Sequence, residues 1–225
     1  MRIVFITDSY GGARIHKNEI GVSSSQTYPE LLKQELVPMG HEVLIDFAAF
    51  RKLTDLPKLF LNYSEADVYV FQAGIVDCYP RVLSQELTIS QNAFAKLIRK
   101  LIRINRSFFI RYIYNKPWSS EKEVLNAITA VCSSTTAKMI WLNVAPVNAF
   151  QEKETPGANA AIVAFNTLLS SNLTKHKNAI LLDIYTQLMK TETYEMYIHE
   201  HDSHLNIEGN KLYTKEVLNV LKKII

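Results

Sequence analysis

The sequence has few of the residues that mark several common classes of protein. Its two cysteines, Cys78 and Cys132, are too few for the disulfide framework of a small secreted domain. It also lacks any apolar run approaching the roughly 20 residues that a membrane-spanning helix needs. Seven glycines, seven prolines and 48 % hydrophobic residues exclude a collagen-like fibre and a disordered tail. We therefore expect one globular domain over residues 1–225, long enough to bury a large core.

The start of the chain lacks the charged, apolar and small-residue zones of a secretory signal. It begins instead with RIVFIT, which predicts a strand. Together with the low cysteine content, this start favours a cytoplasmic protein.

Acidic residues are missing from one long stretch of the chain. Between Leu87 and Ser120 there is no Asp or Glu, but there are seven bases. Because the whole chain has a net charge of +3, the remainder carries 3 − 7 = −4. The seven bases are Lys96, Arg99, Lys100, Arg103, Arg106, Arg111 and Lys116.

This basic segment, residues 96–116, mixes its bases with Leu, Ile, Phe and Tyr, which predicts an amphipathic helix. We expect the apolar face of the helix to cover the sheet and the bases to lie in water. The alternative is contact with an anionic membrane, a lipid-linked glycan or an acidic polysaccharide. Nucleic acid is disfavoured because the bases are confined to one helix, whereas the aromatic run at 108–114 suits a dimer contact or an acceptor cleft. The apolar face comprises Phe94, Leu97, Leu101 and Ile104.

Five short apolar runs predict buried parallel strands, because each is rich in Val, Ile, Leu or aromatic residues without strict alternation. Helical patterns separate them, and Thr27 with Glu30 predicts a capping box. This alternation predicts an α/β fold, a doubly wound, mostly parallel five-stranded sheet flanked by helices, with a flavodoxin-like strand order. The strands are Arg2–Thr7, Glu42–Phe47, Val68–Gln72, 138–143 and 179–183, and the further helices are 53–63, 92–112, 121–132, 158–170 and 207–223.

Polar residues follow several of these strands, at the sheet edge where ligands bind in open parallel sheets. Ser9 follows the first strand, and the loop before the last helix carries Asp202 and His204. A serine becomes a nucleophile beside a base that an acid orients. Asp202 and His204 point to the same side of an extended segment, so the carboxylate can orient the imidazole towards Ser9. The simpler alternative is a polar turn at Ser9 and a solvated loop at 199–204.

Three short motifs, in this order, resemble the SGNH hydrolases, which are GDSL-type esterases and acyltransferases. They are the strand ending in Asp8-Ser9, the Gly-x-x-Asp at 74–77 and the Asp-x-His-Leu-Asn at 202–206. The run at 74–81 also resembles a subgroup from bacterial surface-polysaccharide gene clusters. The resemblance implies that Ser9 is the nucleophile and an oxyanion donor through its N–H, His204 the base and then the acid, and Asp202 the orienting acid. It implies hydrolysis of acyl esters, or transfer of the acyl group to a sugar hydroxyl.

The chain departs from the family pattern at the residues that bind the oxyanion. Val76 stands where the family has an asparagine donor, and the loss of one donor costs about 10²–10³ in turnover. Gly74, Asp77, Arg81 and Asn143 are the candidate oxyanion and substrate-binding residues, with Arg81 and Asn143 as replacement donors. Alternatively, Arg81 pairs with Asp77, or Asp77 closes its loop by accepting backbone N–H groups. Thr7 replaces the first glycine of GDS, no glycine follows the second strand, and His201 occupies the family's usual acid position.

These features predict a serine-dependent acyl-ester hydrolase or O-acyltransferase that acts on an acylated carbohydrate or another acyl ester, without a cofactor. The alternative, motivated by Val76, is a catalytically impaired binding or assembly protein in polysaccharide biosynthesis. A metal site at His199, His201 and His204 is disfavoured because their spacing matches no closed zinc motif. Nucleotide binding is disfavoured because the loop after the first strand lacks both G-x-G-x-x-G and a P-loop lysine. Cys78 is better explained as a half-buried thiol than as a nucleophile.

Overall fold

A computed structural model describes residues 1–14, 21–63, 65–113 and 115–225. Five strands form one sheet in the order β2-β1-β3-β4-β5, and every pairing is parallel. This confirms the predicted doubly wound α/β fold and its flavodoxin-like strand order. The strands are β1 (Arg2–Thr7), β2 (Glu42–Phe47), β3 (Val68–Gln72), β4 (Lys138–Leu142) and β5 (Ala179–Leu182).

Helices flank the sheet in two groups, with α1 packed against α11 and α7 packed against α2 and α9. The central strands β1 and β3 are buried almost throughout, which explains their nearly continuous apolar sequences. The helices are α1 (Tyr28–Leu36), α2 (Leu56–Phe60), α3 (Ile75–Cys78), α4 (Gln85–Ile89), α5 (Ala93–Ile104), α6 (Arg106–Tyr112), α7 (Glu121–Ser133), α8 (Ala149–Glu154), α9 (Ala158–Leu173), α10 (Ile184–Met189) and α11 (Ile207–Leu221).

Local hydrogen bonds explain where the element boundaries differ from the prediction. β4 and β5 end one residue early because Asn143 Nδ2 donates to Asp183 Oδ1 at 2.7 Å and Asp183 caps α10. The capping box at Thr27 is wrong, since the Thr27 hydroxyl donates to the Ser24 carbonyl at 2.9 Å. The helix predicted at 92–112 is broken at Asn105, whose φ of −130° and ψ of 37° are not helical.

Helices α4, α5 and α6 form an excursion from the fold that we call the basic lobe, residues 85–112. The segments that lead into and out of the lobe are joined by an antiparallel bridge, in which the Arg81 N–H donates to the Lys116 carbonyl at 3.3 Å. α6 packs against α8, which places the basic lobe over the loops that follow the strands. Tyr114, the last residue of the predicted aromatic run, lies outside the described residues.

The apolar face of α5 does not cover the sheet, so that prediction is wrong. Its four apolar residues are 56–68 % exposed, whereas Ala95 on the opposite side is buried. Arg99 also points inward, and its Nη1 donates to three carbonyl groups around the end of α4 at 2.6–3.0 Å. The physical reason is that α5 packs on α4 and α6 rather than on a strand. In the described part of the chain, no helix has both the length and the apolar composition to cross a bilayer.

Candidate active site

Ser9 lies at the point where β1 ends and the chain turns sharply. The Asp8 N–H donates to the Gln72 carbonyl at 2.9 Å, and a 3₁₀ turn follows at Ser9–Gly11. Asp8 holds this turn, because its carboxylate accepts the Tyr10 N–H at 2.9 Å and its carbonyl accepts the Gly11 N–H at 3.1 Å. The Ser9 N–H is the first of the turn and has no partner within it.

The threonine at the start of this motif is accommodated by a glycine four residues later. Thr7 is fully buried, and a Cβ on Gly11 would overlap its side chain. The Thr7 departure from the family motif therefore alters the packing beneath the turn, while Ser9 still reaches the edge of the sheet.

A folded loop before α11 carries the other two residues of the predicted triad. The His199 N–H donates to the His204 carbonyl at 2.8 Å, and Ile198 bridges Leu205, so the loop closes on itself. Asn148, which lies between β4 and α8, fixes this loop in place, because its Nδ2 donates to the carbonyl groups of His199 and Glu200 at 2.8 and 3.1 Å. These bonds fix the position from which the His204 ring is presented.

Ser9, His204 and Asp202 meet in one hydrogen-bonded chain. Ser9 Oγ lies 2.9 Å from His204 Nε2, and His204 Nδ1 lies 2.6 Å from Asp202 Oδ1. These distances are those of a nucleophile, a base and an orienting acid. The structure thus brings together three residues that the sequence separates by up to 195 positions.

The electrostatic environment favours a neutral imidazole beside an ionised carboxylate. Burial lowers the pKa of His204 below its ordinary 6.5, although the Asp202 hydrogen bond and charge act in the opposite direction. Burial acts to raise the pKa of Asp202, but the His204 hydrogen bond, the charges of His204 and Arg14 and the Ser203 N–H hold it at about 2. His204 is therefore ready to accept a proton at neutral pH.

The carboxyl groups of Asp8 and Asp77 are also buried. Burial raises the pKa of Asp8 to about 7, against the lowering effect of the Tyr10 N–H. Burial likewise raises the pKa of Asp77 to about 6, against its hydrogen bonds. Asp77 accepts the Leu53 N–H and the Ser119 hydroxyl, each at 2.6 Å, so its carboxylate bonds to the segments that follow β2 and precede α7 rather than to its own loop.

A pocket of about 330 Å³ opens above the Ser9 hydroxyl. One end holds the hydrogen-bonded triad, and the walls come from loops after β1, β2 and β3 and from helices α6 and α8. The side chains at the wall other than the triad are Arg14, Ala49, Phe50, Ile75, Val76, Tyr79, Arg81, Arg106, Gln151 and Ser203.

Of the four candidate oxyanion and substrate-binding residues, Arg81 alone lines this pocket. Asn143 is engaged with Asp183 and α10, and Asp77 holds the loop at Leu53, so neither forms part of the wall. Gly74 lies just behind it, with a φ of +139°, and a Cβ there would overlap the Phe165 ring. Gly74 therefore lets α3 place Ile75 and Val76 in the wall.

The predicted ion pair between Arg81 and Asp77 is not formed. The Arg81 guanidinium instead lies over the Trp118 ring, 4.1 Å from its centroid, and 5.7 Å from that of Tyr79. Because Asp77 does not pair with it, the Arg81 guanidinium remains, among the described residues, an unneutralised positive charge at the pocket wall.

Sequence reasoning missed Arg14 and Phe50, and it named Arg106 in the basic segment without placing it at this pocket. The Arg14 guanidinium contacts His204 Nε2, and its Nε lies 3.7 Å from Asp202 Oδ2. Its place in the same loop as Ser9 was the available signal. Phe50 has a φ of 60°, a left-handed backbone that is rare for a bulky residue and concentrated at functional sites. No sequence signal marks Arg106, because its position depends on how the basic lobe folds back.

Two other chemistries considered from the sequence find no support at this edge of the sheet. Burial raises the pKa of the Cys78 thiol well above its ordinary value, so Cys78 is not a thiolate nucleophile. Within the described ranges, no group of three or more His, Cys, Asp or Glu side chains is arranged to hold a metal ion.

No family model matches the chain, and no curated protein matches it by sequence. Solved structures do match over almost its whole length. A lipase/acylhydrolase from Enterococcus faecalis is 14 % identical, with a TM-score of 0.68 over 99 % of this chain and 95 % of that one. A catalytic mutant of the acetylxylan esterase Axe2 from Geobacillus stearothermophilus is 13 % identical, with a TM-score of 0.62 over 97 % and 92 %.

A third structure, from the lipolytic G-D-S-L family of Veillonella parvula, is 12 % identical, with a TM-score of 0.61 over 98 % of both chains. The chain therefore has the fold of the GDSL/SGNH lipases and acylhydrolases, as the sequence resemblance predicted. At these identities the similarity establishes the fold alone.

Proposed function

We propose that the chain is a serine-dependent acyl-ester hydrolase or O-acyltransferase that acts on O-acyl groups of a carbohydrate. The hydrogen-bonded chain from Ser9 through His204 to Asp202 is the observation that carries this proposal. A serine hydroxyl is a weak nucleophile until a base accepts its proton, and the 2.9 Å contact with His204 supplies that base.

The reaction uses the three residues in two steps. Ser9 Oγ attacks the acyl carbonyl carbon while its proton passes to His204 Nε2, and the Asp202 carboxylate stabilises the imidazolium. The ester C–O bond then breaks, His204 returns the proton to the departing sugar oxygen, and the acyl group remains on Ser9. Water or a sugar hydroxyl attacks this acyl-enzyme while His204 accepts its proton. The bond between the acyl carbon and Ser9 Oγ then breaks, His204 returns the proton to Ser9 Oγ, and the acid or the new ester is released.

The negative oxygen of the tetrahedral intermediate needs donors, and Val76 has no amide to offer. The Ser9 N–H supplies one donor, because it has no partner within its turn. Arg14 supplies the second, since its guanidinium contacts His204 Nε2 and thus lies beside the reacting oxygen of Ser9. When the substrate enters, its carbonyl oxygen takes over the guanidinium donors from the imidazole.

The lining of the pocket supports a hydroxyl-rich substrate. The Tyr79 hydroxyl donates to Gln151 Oε1 at 3.2 Å, so two side chains with several hydrogen-bonding groups face the cavity. Phe50 also lines the pocket with a partly exposed ring, a flat apolar surface against which a sugar ring can pack. One of the similar structures is an acetylxylan esterase, and its acetylated carbohydrate substrate supports a substrate of this kind here.

The experiment compares hydrolysis of p-nitrophenyl acetate and of acetylated xylo-oligosaccharides by the wild type and by Ser9→Ala. We expect the substitution to lower turnover by at least about 10³, because the remaining groups supply only binding and oxyanion stabilisation. Ser171→Ala is the matched control, since its exposed hydroxyl on α9 bonds only to the Leu168 carbonyl among the described residues. Equal rates for the wild type and Ser9→Ala would refute the proposal.

The second candidate function is a binding or assembly protein with this fold, and Val76 is the observation in its favour. This second function predicts that acetylated glycans bind the wild type but are not hydrolysed. Titration of the same acetylated oligosaccharides, followed by analysis of released acetate, separates the two candidates.

A further inference from the structure

Two arginines at the wall of the Ser9 pocket have no acidic partner among the described residues. The Arg81 and Arg106 guanidinium groups approach the same ring, with distances of 5.7 and 5.8 Å to the Tyr79 centroid. The Nε atoms of both are buried and make no hydrogen bond to the described residues. No described salt bridge joins either residue to a carboxylate.

The pocket as a whole is positively charged. Arg14, Arg81 and Arg106 line it, and Asp202, already bonded to His204, is the one carboxylate at its wall among the residues that the structure describes. Burial and the neighbouring Arg106 charge lower the pKa of Arg81 to about 10, which leaves it cationic at neutral pH. Half-buried like charges whose counter-ion is not among the described residues repel each other, and a bound anion relieves that cost.

The same two arginines also line a neighbouring cavity of about 210 Å³ inside the basic lobe. Arg99 and Arg103 contribute to that cavity, and none of its described lining residues is acidic. Positive charge therefore continues from the Ser9 pocket into the basic lobe. The guanidinium fork matches the planar or trigonal oxygens of a carboxylate or a phosphate.

We propose that Arg81 and Arg106 bind an oxyanion carried by the sugar of the substrate, so that the enzyme acts on an acidic acylated glycan. This inference rests on the proposed function in taking the Ser9 pocket as the substrate site. The oxyanion is a carboxylate, as in a uronic acid, or a sugar phosphate.

A binding experiment tests the subsite without any turnover. Glucuronate, glucose 6-phosphate and glucose are titrated against the wild type and Ser9→Ala, and the two charged sugars distinguish carboxylate from phosphate. We expect at least one charged sugar to bind about tenfold or more tightly than glucose, the size of effect that a charge-assisted hydrogen bond gives. Equal affinity for all three sugars would overturn the subsite, whether or not Ser9 proves to be a nucleophile.

Variants locate the anion on the two arginines. Arg106→Gln is expected to abolish the preference for the charged sugar, and Arg106→Lys to restore part of it by charge without the fork. Arg111→Gln is the matched control, because Arg111 is exposed on the same helix and does not line the pocket. If both Arg106→Gln and Arg81→Gln keep the preference, the anion binds elsewhere and the subsite is refuted.

Kinetics separate this inference from the proposed function. With matched acetylated esters of a neutral and an acidic sugar, Arg106→Gln should reduce kcat/KM for the acidic ester about tenfold more than for the neutral one, mainly through KM. A wild type that binds glucuronate or glucose 6-phosphate but hydrolyses no ester would retain the anion subsite and refute the serine mechanism.

A second proposal rests on a different observation, the exposed apolar side chains of α5 and α6. Seven apolar side chains on these helices and at their end are 53–68 % exposed. Exposed bases flank them, and the sequence has no acid between Leu87 and Ser120. The apolar residues are Phe94, Leu97, Leu101, Ile104, Phe108, Tyr112 and Ile113, and the flanking bases are Lys96, Lys100, Arg103 and Arg111.

We infer that this face of the basic lobe binds an anionic lipid surface. An apolar stripe bordered by Lys and Arg is the composition of helices that lie in the membrane interface. Each base near an anionic membrane strengthens binding by roughly fivefold. A second copy of this chain fits poorly, because the same face would set bases against bases.

Vesicle co-sedimentation tests this surface. The full chain should sediment with vesicles of equal parts phosphatidylcholine and phosphatidylglycerol, and much less with phosphatidylcholine alone or at high salt. Leu97→Gln with Leu101→Gln should reduce binding by about tenfold or more, since both lose apolar burial. Leu61→Gln, at a 72 % exposed position outside the basic lobe, is the control.

Two outcomes would overturn the lipid surface. One is equal sedimentation with neutral and anionic vesicles, or none with either. The other is a dimer in analytical ultracentrifugation that Leu97→Gln with Leu101→Gln dissociates, because that result would assign the face to a second copy.

Discussion

Replacing the buried Asp8 by asparagine should change how the stability of the protein depends on pH. Asp8 is fully buried next to Ser9, and one of its carboxyl oxygens, Oδ2, has no hydrogen-bond partner among the described residues. Asparagine keeps the side-chain oxygen that accepts the Tyr10 N–H and removes the ionisation. The variant therefore isolates the cost of holding a charge at this position.

The magnitude follows from the raised pKa. The folded state retains the Asp8 proton up to about pH 7, whereas the ordinary value is 3.8. Between these values the folded state binds more protons than the unfolded state, so the free energy of unfolding falls as pH rises. A shift of this size corresponds to about 4 kcal/mol, reached above pH 7 and absent below the unfolded pKa.

Urea denaturation of the wild type and Asp8→Asn across the acid-to-alkaline range measures the effect. We expect the variant to gain stability relative to the wild type by about 4 kcal/mol between pH 4 and pH 8. Glu35→Gln, an exposed carboxylate on α1, is the control and should show little change of this kind. Parallel stability curves for the wild type and Asp8→Asn would refute the reasoning.

Three further predictions concern the site and its support. Asp202→Asn should lower kcat by about 10⁴, because the amide no longer holds His204 in the tautomer that accepts a proton, and steady-state kinetics check this. The acid limb of the pH profile of kcat/KM should lie below pH 6.5. Arg14→Gln should move this limb to higher pH, because Arg14 lowers the pKa of His204, and it should also reduce turnover by about 10²–10³. An unmoved limb in Arg14→Gln would contradict that role. Gly74→Ala should destabilise the fold by roughly 1–3 kcal/mol, because of its φ of +139° and the overlap with Phe165, as thermal unfolding would show.

The sequence predicted the sheet well because buried parallel strands have nearly continuous apolar runs. The bounds of β1, β2 and β3 agree with the prediction, since the buried part of each strand coincides with its apolar run. β4 and β5 end earlier than predicted because of a side-chain contact, which the pattern of apolar residues does not show. The Asn143 and Asp183 side chains bond to each other and turn the chain out of the sheet.

The meeting of Ser9 with His204 could be anticipated from topology, because loops at the carboxyl ends of parallel strands share one edge. The catalytic roles of these residues remain predictions. The arginines of the pocket could not be anticipated in the same way. Helical spacing shows that Leu97 and Leu101 share a face, but it does not show whether that face turns inward.

The α5 helix illustrates this limit, since its apolar face is exposed and Arg99 points inward. The left-handed backbone of Phe50 could not be predicted either, because bulky residues rarely adopt it and the sequence gives no signal of it.

Labelling with a fluorophosphonate tests the central claim most directly, since this probe reacts with an activated serine whatever the natural acyl group is. Peptide mass spectrometry should find the adduct on Ser9, and His204→Ala should lose it. No adduct on the wild type, or an adduct on Ser9 that forms equally fast in His204→Ala, would contradict the account.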